Sequence, residues 1–275
     1  MLDLNSDLLL KISNIAIRAG SEIMKFYSED PEIFTKKDNS PLTLADLSSN
    51  KIIIEELKKI DETIPILSEE TLIDWQERKR WNKYWLVDPL DGTKEFIKKN
   101  REFTVNIAFI DNNKPLMGII YAPAKSLLYF AKKNYGAFKI FSSTELKNLE
   151  DSQSIKTSYN NPEDNIRVIS SRSHSNDVLE SWINKKLNKY TLIISGSSLK
   201  FCEIAEGNAD IYPRFGHTSE WDIAAGHIIL EEAGGVIKDI DGNQILYNNK
   251  ETLINPEFIV RLNGFVNISP FLFAN

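Results

Sequence analysis

The spacing of apolar residues switches along the chain between a helical period and a strand period. In residues 7–27 apolar side chains recur at intervals of three and four, which places them on one face of an amphipathic helix. A second helix is predicted over residues 43–59, because Thr43 and Asp46 form a capping-box signal at its start. Residues 103–109 instead alternate at every second position, the pattern of a half-buried strand.

Shorter apolar runs predict the remaining elements of a layered α/β protein. In the first part of the chain they predict strands over residues 64–67, 84–87, 116–121, 127–131 and 137–141. In the second part they predict strands over 167–170, 191–194, 209–213 and 235–239, and helices over 176–188, 197–206 and 222–234. The polar residues 142–165 separate the two parts, so we predict two α/β halves, residues 1–150 and 151–275.

The amino-acid composition restricts which molecules the protein can bind. The 275 residues carry a net charge of −6, which excludes a general nucleic-acid-binding protein because such a protein needs a basic face. A small phosphorylated ligand remains compatible with this charge. Cys202 is the only cysteine, so we expect no intramolecular disulfide and no cysteine zinc site. The chain shows no signal peptide and no apolar run of the roughly 18 residues that a transmembrane segment needs, so we expect a cytoplasmic protein.

Acidic residues cluster directly after a predicted strand. Asp88 and Asp91 flank Pro89, which forces the chain out of the sheet, and Gly92 and Thr93 then open a helix. Two carboxylates on one such turn, with a backbone carbonyl between them, offer the all-oxygen shell that Mg²⁺ prefers. The free amides at the start of the helix suit a phosphate. The alternative is that both aspartates only shape the turn and cap the helix.

Two more acidic sites lie at comparable positions. Glu69 and Glu70 follow another predicted strand, and Asp222 stands at the start of a predicted helix. Like charges brought together at neighbouring strand ends repel one another unless a cation compensates them, which favours a metal site. Taken in isolation, Asp222 is better explained as a residue that caps the N-terminus of the helix.

These segments resemble a known family. Residues 68–70 (SEE), 88–93 (DPLDGT) and 221–226 (WDIAAG) resemble three signatures of the inositol monophosphatase superfamily. The longer run 85–97 (WLVDPLDGTKEFI) resembles the bacterial 3′(2′),5′-bisphosphate nucleotidases of that superfamily. Further segments resemble the same branch: 37–43 (KDNSPLT), 196–202 (GSSLKFC) and 212–216 (YPRFG). The matches run in order from about residue 5 to 260.

The resemblance implies an αβαβα sandwich with the site where its halves meet. It implies Mg²⁺-dependent hydrolysis of adenosine 3′,5′-bisphosphate to AMP and phosphate with two or three Mg²⁺ ions, inhibition by lithium, and recycling of a by-product of sulfate activation. The metal ligands it implies are Glu69, Asp88, Asp91, Asp222 and the carbonyl of Leu90, with Asp88 bridging two ions.

Catalytic and substrate residues follow from the same resemblance. It implies that Asp46 and Thr93, together with Glu69, activate the attacking water and that the backbone of Gly92 and Thr93 holds the phosphate. Without it, Thr93 is a first-turn residue and Asp46 a capping partner. The predicted substrate contacts are Glu69, Leu90, Asp91, Gly92, Thr93 and Asp222, joined by His174, Ser197, Lys200 and Arg214 for the nucleotide. Arginine binds phosphate through paired hydrogen bonds and lysine as a point charge.

Several alternatives stay open at this stage. An inositol-1-phosphate or sugar-bisphosphate phosphatase would use the same metal site with a different pocket. A phosphatase with an aspartyl nucleophile is set aside because its motif spaces the two aspartates one residue closer than Asp88 and Asp91. A non-catalytic nucleotide sensor would have lost an acidic ligand, and none is missing. We expect a monomer or homodimer. Some bacterial relatives lie on the cytoplasmic face of the inner membrane, but no anchor in the sequence requires this.

Overall fold

The computed structural model describes residues 3–28, 33–35, 41–158, 165–172 and 177–263. The elements of its first part are α1 (Ser6–Tyr27), β1 (Ile33–Thr35), β2 (Pro41–Thr43), α2 (Leu44–Ile60), β3 (Ile66–Ser68), α3 (Trp75–Arg78), β4 (Lys83–Asp91), α4 (Thr93–Ile97), β5 (Thr104–Asp111), β6 (Lys114–Ala122), β7 (Leu127–Lys132), β8 (Gly136–Phe141) and β9 (Gln153–Ile155). Those of its second part are β10 (Ile166–Ser171), α5 (Asp177–Lys186), β11 (Tyr190–Ser195), α6 (Leu199–Ala205), β12 (Ile211–Arg214), α7 (Glu220–Glu232), β13 (Gly235–Asp239) and β14 (Phe258–Leu262).

Two large sheets organise these elements. The first has seven strands in the order β3-β4-β5-β6-β7-β8-β9, and the second has five in the order β11-β10-β12-β14-β13. Most neighbours in the first sheet are antiparallel, but β3 and β4 run parallel. The two-stranded hairpin of β1 and β2 stands apart from both sheets.

The helices fill the layers around the sheets. Helices α1 and α2 pack on one face of the seven-stranded sheet and enclose one hydrophobic core. Helices α6 and α7 lie between the sheets and share a second core with both. Helix α5 lies in the chain between the parallel strands β10 and β11 and forms the last of the five layers. This arrangement confirms the predicted αβαβα sandwich, whereas the division into residues 1–150 and 151–275 stays a prediction.

Strand β5 differs from the half-buried strand that the alternation predicts, because both of its faces are buried. Ile107 and Phe109 enter the core with α1, while Ala108 enters the core with α7. On the second face Thr104 and Asn106 are buried as well, and they form hydrogen bonds to Ser197 and Ser198 in the segment between β11 and α6. A strand with helices on both sides buries both faces, so its polar side chains form hydrogen bonds inside the protein and do not contact solvent.

Helix α7 packs very closely on the seven-stranded sheet. A Cβ atom at Gly118 of β6 would stand 2.6 Å from the carbonyl oxygen of Ala225, so only glycine permits this approach. The close packing fixes the position of the N-terminus of α7 near the ends of β3 and β4. No helix in the described ranges is long and apolar enough to cross a lipid bilayer.

Candidate active site

Three carboxylates meet where the strands end. In the parallel pair of β3 and β4, Ser68 lies opposite Val87, so the next residues, Glu69 and Asp88, emerge at the same edge. The N-terminus of α7 brings Asp222 to this point. Carboxylate oxygens of Glu69, Asp88 and Asp222 lie within 4.8 Å of one another. Three of the five metal ligands implied by the resemblance are therefore brought together.

The charges of this cluster repel one another. Burial, together with the nearby carboxylates of Glu69, Asp91 and Asp222, raises the pKa of Asp88 well above its usual range. Burial and the neighbouring Asp91 and Glu69 likewise raise the pKa of Asp222. A set of anionic oxygens held this close fits a hard divalent cation, which would compensate the repulsion. The residues present therefore fit the metal that the sequence implies.

Strand β4 bulges between Asp88 and Asp91 and rejoins the sheet where Asp91 pairs with Thr104, so Pro89 does not end the strand as the sequence predicts. Two contacts hold the bulge. The hydroxyl of Ser49 on α2 donates to the carbonyl oxygen of Pro89 at 2.7 Å, and the amide of Leu90 donates to Asp88 at 3.1 Å. Gly92 then adopts a left-handed conformation with φ of 89°. A Cβ atom there would also approach the carbonyl of Glu102 to 3.1 Å, so glycine is required on both counts.

Asp46 makes contacts that fit both roles considered for it, capping of α2 and activation of a water molecule together with Thr93. Its Oδ2 accepts hydrogen bonds from the amide of Thr43 at 2.8 Å and the hydroxyl of Thr43 at 2.6 Å, which forms the capping box of α2. Its Oδ1 accepts the hydroxyl of Thr93 at 3.0 Å. Asp46 is 1% exposed, so both oxygens are held in place. The cap thus orients the carboxylate toward Thr93.

A cavity of about 210 Å³ opens beside the acidic cluster. Of the predicted site residues, Glu69, Asp91, Gly92, Thr93, Ser197, Lys200, Arg214 and Asp222 line it. Asp46, Asp88 and Leu90 are not among the lining residues and are buried. His174 lies outside the described residues. Apart from His174, the structure therefore gathers the predicted residues in and around one cavity.

Two cationic side chains line this cavity together with the acids. Lys200 is buried, and burial lowers its pKa to about 8 although the carboxylates of Asp91, Glu95 and Asp222 act in the opposite direction. Its ammonium lies 5.7 Å from the centre of the Tyr212 ring. Arg214 donates to the carbonyl of His217 at 2.8 Å, and its Nε has no hydrogen-bond partner among the described residues. The cavity is thus lined by both acidic and basic side chains.

Sequence reasoning missed four contributors to this site. Tyr212 and Ser198 line the cavity, Asn106 and Ser198 donate to Asp91, and Thr104 contacts Asn106 and Ser197. Polar residues at alternate positions of β5 predict a solvated face in an antiparallel sheet, so they carried no signal for a place in the site. The partner hydroxyl of Ser198 carried no such signal.

Comparison with known proteins agrees with this geometry on the class of protein, a metal-dependent phosphatase. The chain belongs to the Inositol monophosphatase family, whose model matches residues 5–264. The predicted resemblance to this family is confirmed.

Individual relatives point to one branch of the family. The chain is 39% identical to the 3′(2′),5′-bisphosphate nucleotidase CysQ of Shigella flexneri over 93% of its own length and 100% of that protein. It is 42% identical to the protein of that name from Buchnera aphidicola, over 91% of this chain and 92% of that protein. The crystal structure of CysQ from Bacteroides thetaiotaomicron matches with a TM-score of 0.84 at 40% identity, covering 94% of this chain and 98% of the other.

Proposed function

We propose that this protein is a Mg²⁺-dependent 3′(2′),5′-bisphosphate nucleotidase that hydrolyses adenosine 3′,5′-bisphosphate to AMP and phosphate. The observation that carries the proposal is a single cavity lined both by acidic residues, Glu69, Asp91 and Asp222, and by the basic residues Lys200 and Arg214. A substrate with two separate phosphates suits such a lining, because one phosphate can meet cations held by the acids and the other can meet the basic side chains. The near full-length similarity to proteins named 3′(2′),5′-bisphosphate nucleotidase supports the same choice.

The acidic residues of the cluster would hold the divalent cations. Glu69, Asp88, Asp91, Asp222 and the carbonyl of Leu90 are the proposed ligands for two or three Mg²⁺ ions, with Asp88 shared between two of them. When bound, such ions neutralise phosphate oxygens and lower the pKa of a water molecule. Residues 1–150 would supply most of these ligands, and residues 151–275 would supply Asp222 and the nucleotide contacts.

Asp46 and Thr93 would prepare the attacking water. Because the hydroxyl of Thr93 donates its hydrogen to Asp46, the lone pairs of its oxygen are directed to accept a hydrogen bond from a water in the cavity. That bond would orient the water, and Asp46 would take up the proton through the Thr93 hydroxyl. The backbone of Gly92 and Thr93 at the start of α4 would hold the phosphate, and Lys200 and Arg214 the second phosphate.

The test is phosphate release from a small panel of substrates, measured with Mg²⁺ and again with EDTA. The panel contains adenosine 3′,5′-bisphosphate, inositol 1-phosphate, fructose 1,6-bisphosphate and AMP. We expect strong preference for the adenosine bisphosphate, complete loss of activity with EDTA, and inhibition by lithium. Preference for inositol 1-phosphate or the sugar would keep the metal site and overturn the proposed substrate.

A further inference from the structure

A row of buried hydroxyl and amide groups joins the two sheets directly behind Asp91. Thr104 and Asn106 stand on β5 of the seven-stranded sheet, while Ser197 and Ser198 lie between β11 of the five-stranded sheet and α6. All four side chains are buried, with Ser198 only 2% exposed. They form one of the polar contacts between the first and second parts of the chain.

This row saturates one oxygen of Asp91. Its Oδ2 accepts the hydroxyl of Ser197 at 2.7 Å and the hydroxyl of Ser198 at 2.6 Å, with the amide of Asn106 at 3.4 Å. Within the described part of the chain, Oδ1 of Asp91 has no hydrogen-bond donor. The donors therefore fix the plane of the carboxylate and leave Oδ1 as the oxygen available to a cation.

Ser198 also reaches a second candidate ligand. Its hydroxyl oxygen lies 2.6 Å from the backbone carbonyl of Asp222 and accepts the side-chain amide of Asn106 at 2.8 Å. Thr104 holds the row in place, because its hydroxyl contacts Ser197 at 2.6 Å and donates to Asn106 at 2.9 Å. The single hydroxyl proton of Ser198 can go to Asp91 or to the Asp222 carbonyl, so this serine stands between residues from β4 and from α7 and donates to one of them at a time.

We propose that Ser198, supported by Asn106 and Ser197, is a positioning residue that sets the orientation of Asp91 relative to Asp222 for cation binding. This inference rests on the proposed function in so far as Asp91 is taken as a metal ligand. Hydrogen-bond donors behind a ligating carboxylate commonly determine metal affinity, because they fix the direction of the ligand oxygen. The Ser197 hydroxyl also donates to Asp91, and the nucleotide contact expected for Ser197, which lines the cavity, stays a prediction.

The experiment is a titration of Mn²⁺ into the substrate-free, full-length protein, with free Mn²⁺ followed by electron paramagnetic resonance. We expect Ser198→Ala to raise the dissociation constant for Mn²⁺ about tenfold. This is the lower end of the loss of affinity seen when hydrogen-bond partners of metal ligands are removed. Thr104→Val keeps the shape of the side chain and removes only the bracing hydroxyl, so a smaller loss is expected. Ser198→Thr retains a hydroxyl and should recover part of the affinity.

The matched control is Ser13→Ala. Ser13 is equally buried, on α1, and its hydroxyl has no hydrogen-bond partner among the described residues, so its loss should leave Mn²⁺ binding unchanged. Unchanged Mn²⁺ affinity in folded Ser198→Ala, or in Thr104→Val should the first variant not fold, would overturn the proposal. A rise in KM at saturating metal with unchanged Mn²⁺ affinity would overturn it too, because it would make Ser198 a substrate contact.

The titration also separates this inference from the proposed function. Wild-type protein that binds Mn²⁺, loses affinity in Ser198→Ala and yet fails to hydrolyse adenosine 3′,5′-bisphosphate would support the positioning role and refute only the substrate. Wild-type protein that binds no Mn²⁺ would overturn the positioning role itself.

Discussion

Single carboxylates in this site divide their two oxygens between different tasks. Asp46 caps α2 with Oδ2 and holds Thr93 with Oδ1. Asp222 accepts the amide of Ser219 at 2.8 Å in the capping box of α7 while its carboxylate also joins the acidic cluster. Asp91 gives Oδ2 to hydroxyl donors. Helix capping is therefore compatible with the roles proposed for Asp46 and Asp222, because the cap fixes the orientation of the carboxylate.

Asp88 is surrounded by three other carboxylates, those of Glu69, Asp91 and Asp222. We expect Asp88→Asn to lower kcat for phosphate release by at least about a thousandfold, since it removes an anionic ligand while keeping the acceptor for the Leu90 amide. The far-ultraviolet circular dichroism spectrum should be unchanged. Asp151→Asn, a change at an exposed carboxylate, serves as the control and should keep the wild-type rate. Near-normal turnover in Asp88→Asn would contradict the metal assignment.

Lys200 is the residue best placed to recognise a second phosphate. We expect Lys200→Ala to raise KM for adenosine 3′,5′-bisphosphate about tenfold, equivalent to the loss of one charged hydrogen bond, and to change KM for inositol 1-phosphate little. Steady-state kinetics on both substrates measures the contrast. Because burial lowers its pKa to about 8, the wild-type KM for the bisphosphate should also rise as the pH increases through that value.

The control for Lys200 is Lys94, which lines the same cavity but is exposed. Lys94→Ala should have a smaller effect on KM, because solvent screens an exposed charge. Equal effects of Lys200→Ala on the two substrates would show that this side chain does not distinguish the second phosphate.

At the scale of elements, α7 is anchored by a polar cluster as well as by apolar packing. Asn248 donates to the carbonyl of Arg78 at 2.6 Å and accepts from its guanidinium at 2.6 Å. The amide of Asn248 in turn donates to Glu220, the first residue of α7, at 2.7 Å. All three residues are buried. The cluster thus ties the start of α7, and with it Asp222, to the segment after β3.

Breaking this cluster should destabilise the protein. We expect Asn248→Ala to lower the free energy of unfolding by about 2–3 kcal/mol, because it leaves a buried guanidinium without its side-chain acceptor. Urea unfolding followed by tryptophan fluorescence measures the change. Asn243→Ala, at an exposed position in the loop after β13, should change stability by well under about 1 kcal/mol. Equal effects of the two substitutions would contradict the anchoring role of Asn248.

Local signals account for the elements that sequence reasoning found. The helical period predicts α1 from residue 7 and the structure begins it at Ser6, and the capping box marks the start of α2. Strand β14 was missed, although it lies between β12 and β13 in the sheet. Its short run of mostly apolar residues shows no alternation of apolar and polar positions. Such runs do not distinguish a buried strand from other buried segments.

The same distinction between local and distant contacts applies to the site. Asp46 and Thr43 are three residues apart, so a capping motif is visible in the sequence. Ser198 and Asp91 are 107 residues apart and meet only because α6 and α7 pack between the two sheets. Resemblance to a family supplied the acids, but hydrogen bonds that hold them depend on packing that no spacing in the chain reveals.

At the scale of the whole molecule, the acidic cluster sets a pH dependence of global stability. Burial and neighbouring carboxylates raise the pKa of Asp88 in the folded protein, so its contribution to stability is present below its unfolded pKa and is lost as the pH rises through the folded value. Without a divalent cation, wild-type protein therefore loses stability toward neutral pH at this position. Asparagine cannot ionise and escapes that loss.

We accordingly expect Asp88→Asn in EDTA to melt at a higher temperature than wild type at about pH 8, with the difference closing toward about pH 4. Each kcal/mol corresponds to about 2–4 °C for a chain of this size, so differential scanning calorimetry resolves the effect. Adding Mg²⁺ should reverse the order, because the wild-type ligands gain binding free energy that the variant has lost. The exposed substitution Asp151→Asn should follow wild type throughout. A difference in melting temperature that stays constant with pH would mean that ionisation of Asp88 does not destabilise the folded protein. A difference that does not change when Mg²⁺ is added would mean that no cation compensates the charge of Asp88.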